Sequence, residues 1–219
     1  MSGLVELIAR DQAPSGLIGK SVFQYFAFVQ GWLNSSAMVG QKDISAANFF
    51  HQFQDWLSKK TQITSTIGWH GILRLISDDD DAAFELLQSE LSAFKTDAGN
   101  LVDLETVGIP SPIGDGRYFY DFVEALAKKP RLYLGEDIYL LNAFVEGWIT
   151  FRETQNEKID REFIEQFQVW VLEREASSGS NLRWPDVYRA INPDPGQAMM
   201  DALKQMAYFH QNDFNSTAV

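Results

Sequence analysis

Three histidines, thirty acidic side chains and no cysteine set the limits on the chemistry open to this chain of 219 residues. His51 opens "HQFQD", which places an imidazole and the Asp55 carboxylate one helical turn apart. That spacing lacks the second histidine and the glutamate of the zinc-binding HExxH pattern. Glu162 and Glu165 in "EFIEQF" stand three apart, but without the histidine of a di-iron Glu-x-x-His site. The remaining histidines, His70 and His210, have no second imidazole at ligand spacing. There is no P-loop, no GxGxxG and no GxSxG elbow. Zero Cys removes thiol chemistry, disulfides and cysteine-ligated metals. The expectation is a protein that is not an enzyme, with no catalytic residue, no metal and no cofactor. A carboxylate pair among so many acids stays open.

The run "SDDDDAAFE" invites comparison with a calcium loop. Counted from Asp78, the sixth position is Ala83, where an EF-hand loop requires Gly. A cheaper reading is a helix N-terminus, where acids meet the positive end of the macrodipole. The same four side chains form an anionic cluster that a basic partner would meet. The candidate partner-binding residues are therefore Asp78, Asp79, Asp80 and Asp81, with Asp103 and Glu105 from the acidic segment further on.

The formal net charge is −12. It opposes the binding of nucleic acid and of anionic membrane, and it favours a basic partner or plain solubility. No apolar run reaches the ~18 residues of a spanning helix. The start, "MSGLVELIARDQAP", lacks the basic flank and long apolar centre of a secretory leader. Cytoplasmic residence is the expectation.

The elements that carry these residues are helices, and they come twice. "AFVQGW" (Ala27 to Trp32) recurs as "AFVEGW" (Ala143 to Trp148). "FFHQFQDW" (Phe49 to Trp56) answers to "FIEQFQVW" (Phe163 to Trp170). "IGWHGILRLI" (Ile67 to Ile76) answers to "LRWPDVYRAI" (Leu182 to Ile191), and "AAFELLQSELSAF" (Ala82 to Phe94) to "QAMMDALKQMAYF" (Gln197 to Phe209). "VELIARDQAP" (Val5 to Pro14) answers to "VEALAKKP" (Val123 to Pro130). These collinear blocks, offset by roughly 115 positions, predict a duplicated unit. The chain divides into copy one at 1–95, an acidic Gly- and Pro-containing linker at 96–117, copy two at 118–212 and a tail at 213–219.

Within each copy the apolar spacing is 3.6-periodic. Val22, Phe26, Val29 and Leu33 mark one face, while Tyr25, Phe28 and Trp32 cover another, so this helix is the buried centre of its unit. Gly31 and Gly147 interrupt it at a cost of ~1 kcal/mol relative to Ala. Their recurrence predicts a bend or the close approach of another helix. Phe49, Phe53 and Trp56, like Phe163, Phe167 and Trp170, form the next face. No alternating strand appears. The predicted fold is all-α, two tandem pseudo-symmetric units of about five helices each, with the repeated aromatics as core.

The stretch "KKPRLYLGEDIYLLNAF" (Lys128 to Phe144) reads by itself as a helix–turn–helix joint. It also resembles a largely uncharacterised family of small bacterial all-α proteins that run lysine-arginine-proline-glycine-methionine-tyrosine-leucine-glycine. In this chain the element stands as Lys129-Pro130-Arg131-Leu132-Tyr133-Leu134-Gly135, with Arg131 for the usual Gly. Copy one keeps later elements of the family, Phe53-Gln54-Asp55-Trp56, Trp69-His70-Gly71-Ile72-Leu73 and the Phe84 to Phe94 helix. Copy one has "APSGLIG" in place of the first element. The small acidic family members look like immunity proteins of bacterial toxin systems. The resemblance implies a protein that neutralises a cognate, basic effector, such as a nuclease, by direct complex formation. The alternatives are a small-molecule sensor or enzyme with a site between the copies, and an adaptor whose aromatic groove takes a peptide helix.

Overall fold

The computed structural model describes residues 4–9, 19–40, 43–63, 67–97, 118–128, 135–175 and 181–214. Asp103, Glu105 and the 129–134 part of the lysine-proline motif lie outside the described residues. The described regular structure is all helical. It comprises α1 (Leu4–Ala9), α2 (Val22–Met38), α3 (Ile44–Thr61), α4 (Gly68–Leu75) and α5 (Asp80–Asp97). After the segment between the repeats come α6 (Phe119–Lys128), α7 (Ile138–Thr154), α8 (Ile159–Glu175), α9 (Trp184–Ile191) and α10 (Pro195–Asn212).

Short polar side chains start these helices by accepting orphan backbone N–H groups. Ser21 accepts from Gln24 N at 3.4 Å, Asp43 from Ala46 N at 3.0 Å and Asp137 from Tyr139 N at 2.8 Å. Asp194 accepts from Gln197 N at 2.7 Å. Gly135 turns the chain into α7 at φ +72°, and Pro185 occupies the first turn of α9. Helix α5 runs on to Asp97, two residues past the predicted unit boundary. The second unit likewise runs past 212, since Asp213 caps α10 and Phe214 packs against the core.

The substantial helix contacts within residues 4–97 involve α1 with α3, α2 with α4 and α5, and α3, α4 and α5 with one another. Those within 118–214 link α6, α7, α8, α9 and α10 in the same manner. Among the substantial helix contacts of the described residues one joins the two sets, α2 against α7, and it is the most extensive of them. Both helices are apolar nearly all round, and α7 buries residues on every side from Ile138 to Arg152. Leu4 through Phe209 then belong to one contiguous core.

The α2–α7 crossing explains the repeated phrase. A Cβ placed on Gly31 would lie 1.9 Å from the Phe144 carbonyl oxygen, and one on Gly147 would lie 1.9 Å from the Phe28 carbonyl oxygen. Each glycine makes room for the backbone of the opposite helix, and the contact is reciprocal. Trp32 completes it by standing edge-on to Phe151, with ring centroids 5.4 Å apart. Of the two sequence-level options, bend or close approach, close approach accounts for both glycines.

Candidate functional site

Four of the repeated Trp residues have aspartate partners. Trp32 Nε1–H donates to Asp43 at 2.9 Å, and Trp148 Nε1–H donates to Asp160 at 2.9 Å. The same carboxylates accept the backbone N–H that opens the first helix of each repeat, Leu4 at 3.3 Å and Phe119 at 2.8 Å. A second pair closes each repeat, Trp56 on Asp97 at 3.2 Å and Trp170 on Asp213 at 2.9 Å. These are positioning contacts, since buried indole N–H groups need acceptors.

The second repeat adds charge to its node. Fully buried Arg152 sets its Nε 3.3 Å from Asp160 and its Nη2 against Glu157, in ion-pair rather than aligned hydrogen-bond geometry. Burial pushes the Asp160 carboxyl above the usual carboxylate range, against the opposing pull of the Phe119 N–H, the Trp148 N–H and Arg152. Arg161 bridges Glu146 at 3.2 Å and Glu153 at 2.9 Å. Glu146 is the residue that replaces Gln30 in the repeated phrase, and its charge is met by a cation from α8.

The histidines occupy three unlike settings. His51 is exposed, 3.7 Å from Asp55. His70 stacks on Phe26 with centroids 3.8 Å apart, and burial lowers its pKa to about 4. His210 stacks on Tyr120 at 4.0 Å. Among the described residues no three His, Asp or Glu side chains converge in a way that would hold a metal ion. Glu162 and Glu165 are both exposed on α8. Among the described residues no helix is long and apolar enough to cross a membrane.

Of the six acids singled out in the sequence, four lie among the described residues, at the start of α5. Asp79 Oδ1 accepts the Ala82 N–H at 2.8 Å and the Asp79 carbonyl accepts the Ala83 N–H at 3.1 Å, so Asp79 caps the helix. Asp80 and Asp81 fill its first turn, and Asp80 is half-buried. Asp78, Asp79 and Asp81 are exposed. The helix-start reading and the anionic-cluster reading are thus compatible, because a first-turn carboxylate still faces solvent.

What the sequence reading missed is the company these acids keep. Immediately before them stand Leu75, 66% exposed and the most exposed large apolar side chain described, and Ile76, 43% exposed. The signal was present in "RLISDDDD", an apolar pair one serine away from the acids. Helical periodicity assigns such apolar positions to the core, so the pair is inconspicuous in sequence. This junction offers exposed carboxylates beside exposed aliphatic carbons, an arrangement suited to binding rather than bond making. No protein-family model matches the chain, and no curated protein and no solved structure matches it.

Proposed function

We propose that this chain is a protein-binding immunity protein that neutralises a basic secreted effector by direct complex formation. The observation that carries the reading is the exposed acidic run at the start of α5 in a chain of net charge −12. An acidic surface accelerates encounter with a basic partner and, where that partner is a nuclease, competes with nucleic acid for its cleft. The resemblance of Lys129 to Gly135 to the immunity-like family supports the same conclusion. The alternative of a site between the repeats loses ground at the α2–α7 crossing, where backbone meets backbone at Gly31 and Gly147.

Co-expression with the product of the adjacent gene tests the proposal. The expected result is a stable complex and relief of toxicity. A neighbour that is harmless to cells lacking this chain, or that fails to bind it, would overturn the reading.

A further inference from the structure

We propose that the junction of α4 and α5 is the docking surface, and that it takes a basic protein partner presenting an apolar side chain ringed by lysine or arginine. This rests on the binding function proposed above and names the place where binding occurs. The outer face of α4 is apolar: Ile67 is 46% exposed and lies over Gly71, whose added Cβ would meet the Ile67 side chain at 2.8 Å. Leu75 stands two turns on from Ile67, at i+8, and Ile76 follows at the helix end. Asp78, Asp79 and Asp81 then form an exposed anionic rim. Arg74 is the cation on this face, and its Nη1 donates to the Ser77 carbonyl at 3.1 Å. Carboxylates therefore outnumber it beside the aliphatic centre, and that imbalance specifies a cationic occupant. A hydrophobic centre with a charged rim is the usual anatomy of a specific interface.

The equivalent face of the second repeat is built otherwise. Asp186 replaces Gly71 and accepts the Tyr139 hydroxyl at 3.0 Å, Ala190 replaces Leu75, and Pro193, Pro195 and Gly196 replace three of the four acids, with Asp194 keeping the capping role of Asp79. Ile191 there is 53% exposed without an acidic run beside it. Burial of the core is served equally well in both repeats, so the difference points to what the first one meets outside.

The experiment uses the full chain and, as probe, the purified product of the adjacent gene, with association and dissociation followed by interferometry. Leu75→Lys is expected to weaken binding by about tenfold or more, mainly through faster dissociation. Asp78→Lys is expected to slow association several-fold and to flatten its dependence on salt. Ile191→Lys, an equally exposed site without the rim, is expected to bind as the wild type does. All three sites are exposed, and unchanged thermal melts establish that the variants fold. If the wild-type chain binds but Leu75→Lys and Asp78→Lys bind equally well, the docking surface is overturned and the immunity reading stands. If the wild-type chain does not bind the probe, both are overturned.

Discussion

At the scale of single residues, the two repeats solve one problem with different chemistry. Asp43 and Asp160 each accept from an indole and from the first helix of the repeat, yet only Asp160 is fully buried and paired with Arg152. Removing Asp160 leaves the buried Arg152 cation with Glu157 alone and undercompensated. Asp160→Ala is therefore expected to cost about 3–5 kcal/mol of unfolding free energy in urea titrations. Asp43→Ala should cost about 1–2 kcal/mol, the size of a lost cap and a lost hydrogen bond. His70 supplies a pH dependence. Its folded pKa of about 4 lies below the ordinary 6.5, so between these values the unfolded chain binds the proton and the folded chain resists it. Stability present above pH 6.5 is lost as the pH falls toward 4, by at most about 3 kcal/mol. His70→Phe should flatten the acid limb of stability measured by denaturant titration between pH 7 and 4.

At the scale of the helix, Gly31→Ala and Gly147→Ala each drive a methyl group into a backbone carbonyl that has no rotamer to yield. Each is expected to destabilise by about 2–4 kcal/mol, read from the shift of the denaturation midpoint. Gly40→Ala meets nothing within 4 Å, but its φ of +69° still strains an alanine, so its cost should be nearer 1 kcal/mol. The glycines were legible in sequence as a bend or a close approach because they interrupt an otherwise apolar helix in both repeats, and the fold alone selects the close approach. Legible too were the acidic helix start at Asp78 to Asp81 and the aromatic core from Phe53 to Phe209, since period and capping are local properties. The Trp–Asp bonds were not, because Asp43 and Asp160 come from the next helix and one acid in thirty looks like another until the chain is folded. The docking face was hidden for a related reason: Leu75 looks like any core leucine, and only its exposure gives it away.

At the scale of the whole molecule, the repeats share one core through α2 and α7. Cooperative unfolding is the consequence. Calorimetry should record a single transition whose van't Hoff and calorimetric enthalpies agree, and Gly31→Ala should lower the melting of both repeats together; two resolved transitions would contradict this. The net charge of −12 adds self-repulsion, so moderate salt should raise the melting temperature as it screens the surface. A repeated sequence ordinarily offers insurance, because one copy tolerates damage while the other keeps working. The reciprocal crossing withdraws that insurance at one point. The glycine of each repeat is held in place by the carbonyl of the other, so a lineage that loses either one loses both. The repeats have already parted at Gly71 and Asp186, each held by its own local contacts, but cannot part where they touch.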